Sequence, residues 1–135
     1  MIYKNMDGIA LPVSRIVFGT TTQVMMEGRD ATELLDAVAA GGVNCFDTAR
    51  AYGMAEKSLG DWIQKRDNRE KIVLVDKGAH PLPDTAVPRV TPAAIEADIA
   101  RSLALLQTDH VDIYLLHRDD PAQPVRCLGG GFHTQ

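Results

Sequence analysis

Four short apolar runs, at residues 16–18, 43–46, 72–75 and 111–116, alternate along this chain with segments whose apolar residues recur at helical spacing. No other feature restricts the fold as much. A β-α-β-α-β-α-β order makes each helix a right-handed crossover between strands of one sheet, and such a sheet is parallel. The run at 111–116 is apolar almost throughout, as suits a strand covered on both faces. Helix signals separate the runs. Asp30 with Glu33 three positions on reads as an N-cap pair, followed by a stripe of Leu34, Leu35 and Val38 that stops at Gly41 and Gly42. Leu59, Trp62 and Ile63 share one side of a second helix over 55–64. Thr91 then supplies an N-cap and Pro92 the first helical residue, where a missing N–H costs nothing, ahead of Ile95, Ile99, Leu103 and Leu106. Before the first run, Asp7 and Gly8 stand between two short extended stretches and predict a small hairpin within 3–13.

Two architectures accommodate this order. A doubly wound sheet fits 135 residues, but the GxGxxG fingerprint after the first strand is absent. A (β/α)8 barrel takes about 250 residues, roughly twice this length. The chain is 45% apolar and 24% charged, which excludes disordered and collagen-like classes. Its 18 acidic and 14 basic residues are interspersed, so no cationic face is offered to nucleic acid or anionic lipid and a small-molecule partner is expected. No apolar stretch nears the roughly 20 residues that cross a bilayer, and residues 1–6 lack a signal core; a cytoplasmic location is expected. Cys45 and Cys127 have neither framework nor CxxC spacing, which points to reduced thiols.

Chemistry gathers at one edge. Asp47, Lys77 and His117 follow the second, third and fourth runs, and Tyr52 lies five residues beyond Asp47. Ligands of parallel α/β sheets bind outside the carboxyl ends of the strands, where these four side chains would converge. Strand parity agrees: Val43, Cys45 and Asp47 share a face, as do Val73, Val75 and Lys77, and Val111, Ile113, Leu115 and His117. Taken singly, Asp47 reads as a turn acid, Lys77 as a solvated strand end, Tyr52 as a surface aromatic and His117 as a satisfied histidine; it is their joint placement that carries weight. His117, Asp119 and Asp120 lack an established ligand spacing and Arg118 beside them would repel a cation, so no metal site is expected. The loop over 78–90 holds Pro81, Pro83 and Pro88, is long for a βα connection and has the character of a site cover. His80 within it is placed to touch a substrate, though it reads first as a solvated loop histidine.

The motif Gly42-Val43-Asn44-Cys45-Phe46-Asp47-Thr48-Ala49 with Tyr52-Gly53, then Lys77, then Ser102-Leu103 leading to Asp112-Ile113-Tyr114-Leu115-Leu116-His117, resembles the aldo-keto reductase family. The resemblance runs from Gly19 to about Val125, with four motifs in family order. It implies a parallel (β/α)8 TIM barrel, present here as about four βα units with an N-terminal β-hairpin over 1–125, followed by a Gly-rich tail over 126–135 that the family does not share. It further implies NADP(H) as cofactor, an aldehyde or ketone as substrate, and a tetrad in which Tyr52 donates the proton, Lys77 and Asp47 tune it and His117 orients the carbonyl. Gly19, Thr20 and Thr21, with Asp47, match positions that border the cofactor. The residue types suit that chemistry. Hydride arriving at a carbonyl carbon leaves charge on oxygen, which needs a donor and then a proton. Tyrosine, with an ordinary pKa of about 10, needs a neighbouring cation to give its proton near neutrality, and an acid beside that cation keeps it charged.

Two departures accompany the resemblance. Asp76 precedes Lys77 where the family more often carries a small hydroxyl residue, and the loops after strands seven and eight, which commonly bind phosphate in such barrels, lie outside this sequence. Activity is therefore expected to need a second half, whether another copy of the chain or a complementary half-barrel. The alternative expectation is a catalytically silent remnant or subunit that retains the tetrad.

Overall fold

The computed structural model describes residues 1–82, 85 and 87–122. Cys127 and the 126–135 tail lie outside the described residues. Strands β1 (Tyr3–Lys4) and β2 (Val13–Ser14) form the antiparallel hairpin, with Tyr3 opposite Ser14 and Gly8 in a left-handed turn conformation at φ 84°. The main sheet follows. It comprises β3 (Val17–Gly19), β4 (Cys45–Asp47), β5 (Val73–Gly78) and β6 (Ile113–Leu116), all parallel and in chain order. Helices α2 (Thr32–Ala40), α3 (Ala55–Arg66) and α4 (Pro92–Leu106) make the three crossovers.

The two faces of the sheet are packed differently. Cys45, Val73 and Val75 turn to one side, where Val13, Ile9 and Leu11 of the hairpin segment and Ile113 meet them. Phe46 and Leu74 turn to the other and pack on Leu35, Leu59, Trp62, Ile63 and Leu106 from the helices. Trp62 anchors this layer: its ring lies 5.1 Å from that of Phe46, and its Nε1 donates to Asp36 Oδ1 at 2.8 Å. The alternation read from the sequence thus matches the burial. β3 and β6 are the outer strands of this sheet, and Val17, Leu115 and Leu116 on them are exposed, as is Ile16 beside β3.

Local signals place the helix starts with one adjustment. Thr91 Oγ1 accepts from Ala94 N at 3.3 Å ahead of α4, as its N-cap position requires. Asp30, by contrast, is one residue short of the cap: Ala31 occupies it with no side-chain cap bond, while Asp30 Oδ1 accepts from Thr32 N at 2.8 Å. Two further differences concern extents. A one-turn helix α1 (Gln23–Met26) follows β3, too short to show a period. β5 continues past Val75 to Gly78, because Asp76 and Lys77 find ladder partners in Tyr114 and Leu115 of β6.

Gly60 marks the closest approach of α3 and α4, since a Cβ there would run into the Leu105 carbonyl oxygen and the Leu106 backbone. Neither obstacle is a side chain that can swing away. Gly60→Ala is therefore expected to destabilise the fold by about 1–3 kcal/mol despite alanine's better helix propensity, read as a lower denaturation midpoint. An unchanged or raised midpoint would show that the helix pair can part without penalty.

Candidate active site

The sheet's hydrogen-bond ladder runs on beyond the carboxyl ends of its strands and fixes the loops there. Thr20 N donates to Asp47 O, Thr48 N to Val75 O and Arg50 N to Lys77 O, each at 2.9 Å, and His117 N to Gly78 O at 2.8 Å. Four neighbouring strand ends are thus held by main-chain bonds, whatever side chains they carry. Asp47 ends β4, Lys77 lies one residue inside the end of β5, and His117 follows β6 directly.

These placements bring the side chains together. Lys77 Nζ forms an ion pair with Asp47 Oδ1 and donates to Thr48 O at 3.1 Å; the lysine and aspartate side chains are 14% and 28% exposed. The same ammonium is 5.2 Å from the centre of the Tyr52 ring. The Tyr52 ring in turn meets His117 edge to face, with centroids 5.5 Å apart. All four residues singled out in the sequence therefore occupy one mouth of the sheet. Tyr52 reaches it through a tight turn: Tyr52 N bonds to Ala49 O, Ala55 N to Tyr52 O, and Met54 N to Met26 O, each at 3.0 Å. Gly53 within that turn has φ 59° and leaves no room for a Cβ against Met26 O, so a larger residue would force the turn and the Met26 backbone apart.

His117 is half-buried, and burial foremost, with His80 and Lys77 beside it, lowers its pKa below the ordinary histidine value. Its Nδ1 is buried without a hydrogen-bond partner among the described residues. A neutral ring tolerates this better than an imidazolium, whose Nδ1–H would be left unpaired. At the rim after β3, Gly19 and Thr21 are exposed, whereas Thr20 is fully buried and its hydroxyl bonds to that of Thr48 at 3.0 Å. Thr20 therefore joins two loops rather than presenting a side chain to a ligand.

Two features were not foreseen from the chain. His80 is half-buried rather than solvated, and its ring is 4.7 Å from that of His117. The second lies on the helix face of the sheet, behind Lys77. Asp76 and Glu56 are both fully buried, with Ser102 and the Tyr114 hydroxyl near them, and no carboxylate oxygen of the pair has a hydrogen-bond partner among the described residues. Burial, reinforced by the Glu56 charge, pushes Asp76 up to about 7. Glu56 is raised by burial too, though Arg50 Nη1 stands 3.7 Å from its Oε2. The sequence held one hint of this, the carboxylate at 76 where a small hydroxyl was expected; the match with Glu56 depends on how α3 docks.

The aldo/keto reductase family's sequence profile matches residues 15–129. Protein tas of Escherichia coli is 31% identical over 147 aligned positions, covering 96% of this chain and 41% of that protein. The uncharacterized oxidoreductase YrpG of Bacillus subtilis is 30% identical across all of this chain and 45% of its own length. Among solved structures, the holo form of aldo-keto reductase AKR11C1 from Bacillus halodurans superposes with a TM-score of 0.78 at 28% identity, covering 95% of this chain and 44% of that one. The chain thus spans less than half the length of these relatives.

Proposed function

Because this chain belongs to the aldo/keto reductase family and its described residues hold four consecutive strands of the barrel with the three helices between them, we propose that it serves NADPH-dependent reduction of an aldehyde or ketone to an alcohol, with Tyr52 as proton donor. One observation carries this reading: Lys77 pairs with Asp47 and stands over the Tyr52 ring, and His117 meets that same ring edge to face. Each contact has a use. As negative charge grows on the carbonyl oxygen, His117 donates a hydrogen bond to it and Tyr52 delivers the proton. Lys77 stabilises the phenolate that Tyr52 becomes, and Asp47 pairs with the Lys77 ammonium and holds it beside that ring.

The residues present fit one end of the cofactor. Gly19 has nothing within 4 Å of where its Cβ would stand, so a flat ring can approach the main chain there, and Thr21 beside it offers an exposed hydroxyl. When bound, the nicotinamide supplies the hydride. Gly19, Thr21 and Asp47 would border it, with Thr20 holding the loop through Thr48. The adenosine phosphate would be held by the second half of the barrel. Another copy of the chain or a complementary half-barrel that associated with it would cover the outer strands β3 and β6 and the apolar Val17, Leu115 and Leu116. The substrate is a small carbonyl compound, with neither nucleic acid nor membrane as partner. Among the described residues no helix is long and apolar enough to cross a membrane, and a free, buried Cys45 suits the reducing cytoplasm.

A second reading is favoured by the coverage of less than half of each relative: a half-barrel that keeps the tetrad without catalysing. Cofactor titration separates the two. Submillimolar NADPH binding, together with aldehyde-dependent NADPH oxidation that rises with the associated fraction seen by light scattering, is expected for the enzyme. Absence of both at every concentration would establish the silent subunit.

A further inference from the structure

His80 has no part in the chemistry just derived, yet the fold is arranged to hold it against His117. Ala79 before it has φ 60°, a left-handed conformation that a residue with a Cβ adopts only under constraint, and it is fully buried. The constraint is visible. Asp98 on α4 accepts from Ala79 N at 2.9 Å through Oδ2, and Arg89 clamps the same carboxylate with Nη1 at 3.0 Å and Nη2 at 2.9 Å. Arg89 Nη1 also donates to His80 O at 3.0 Å, and His80 Nδ1 is bound to Pro81 O at 2.8 Å, which makes Nδ1 the protonated nitrogen of the neutral ring. Main chain and ring are therefore both tied. Its ring meets that of His117 at 76°, on a histidine whose other aromatic neighbour is Tyr52.

We propose that His80 is a positioning residue: a second imidazole, fixed by the Ala79 turn and the Arg89–Asp98 clamp, that packs on His117 and keeps it neutral, so that an uncharged ring presents its hydrogen bond to the substrate oxygen. The last clause rests on the carbonyl-reductase reading; the pairing of the two rings does not. Among the described residues, the titratable and charged groups facing His117 are Lys77 from β5, Asp47 from β4, the Tyr52 phenol from the turn before α3, His80 from the loop after β5, and Arg118 next in the chain. Of these groups Asp47 favours an imidazolium, and Lys77 already occupies it. Two imidazolium rings with centroids 4.7 Å apart repel one another, so the ring that takes a proton first opposes the second.

The test is a pH titration of the histidine ring carbons by NMR on the full chain, beside His80→Phe and His80→Gln. Phenylalanine keeps an aromatic edge on His117 without a titrating group; glutamine keeps polarity without a ring. The His117 midpoint is expected to rise by about half a unit or more in both variants. An unchanged midpoint in both overturns the proposal. A rise in the glutamine variant alone assigns the effect to lost packing and overturns it equally. This readout needs no turnover, so an inactive chain would defeat the reductase reading while leaving the imidazole pair to stand or fall by its own titration.

Discussion

Tyr52→Phe is expected to slow carbonyl reduction by about 10²–10⁴-fold in kcat while leaving NADPH affinity close to that of the parent. The substitution removes one hydroxyl and keeps the ring that His117 and Lys77 pack against, so the loss reports proton delivery rather than disorder. Lys77→Met should approach the same loss by a different route, since it strips the cation from beside the phenol and leaves Asp47 without the ammonium that pairs it. The two losses should overlap rather than add, because both act on a single proton transfer. Steady-state kinetics with a simple aldehyde provide the check. Turnover within a few-fold of the parent in Tyr52→Phe would transfer the donor role to another group.

The second large effect concerns stability. Asp76 holds its proton up to about pH 7 in the fold, because burial and the neighbouring Glu56 charge oppose its ionisation, whereas the unfolded chain releases it near 3.8. Between those two values the native state binds the extra proton, so raising the pH favours unfolding. The contribution is fully present below about pH 4 and is lost as the pH climbs through 7, a difference on the order of 4 kcal/mol. Asp76→Asn should abolish most of this slope and leave the variant the more stable of the two at pH 8. Chemical denaturation at pH 5, 6.5 and 8 measures it. Asp30 and Asp36, held at about 2 by their hydrogen bonds, stay ionised across that range and do not obscure the trend. A parent as stable at pH 8 as at pH 5 would mean that Arg50 and the surrounding dipoles carry both carboxylates.

Those two expectations draw on different kinds of legibility. The parallel sheet, the Thr91–Pro92 helix start and the apolar columns beneath Asp47, Lys77 and His117 were readable because each rests on a local period or cap. Convergence of the tetrad followed from parity and from the rule that ligands gather at the carboxyl ends of parallel strands. Tyr52 needed more, since its approach depends on Gly53 and on the Met26–Met54 bond, which joins segments far apart in sequence. The buried acid pair and the His80–His117 contact were beyond reach for the same reason. In the sequence Asp76 stands only as a carboxylate where the family more often carries a small hydroxyl residue; what makes it consequential is Glu56, brought to it by the docking of α3. His80 looked like a loop residue, and only the left-handed Ala79, an unusual conformation for alanine, turns it inward. α1 leaves no mark in the sequence because four residues cannot display a helical period.

Label transfer examines the central claim most directly. The chain, at a concentration where light scattering shows it associated, is given NADPH deuterated at the transferable C4 position and a protiated aldehyde, and the alcohol is analysed by mass spectrometry. One deuterium on the carbinol carbon, formed by the parent and at least about a hundredfold more slowly by Tyr52→Phe, is the expected result. Alcohol without label, or labelled alcohol formed equally fast by both proteins, would contradict the assignment of hydride and proton to this site.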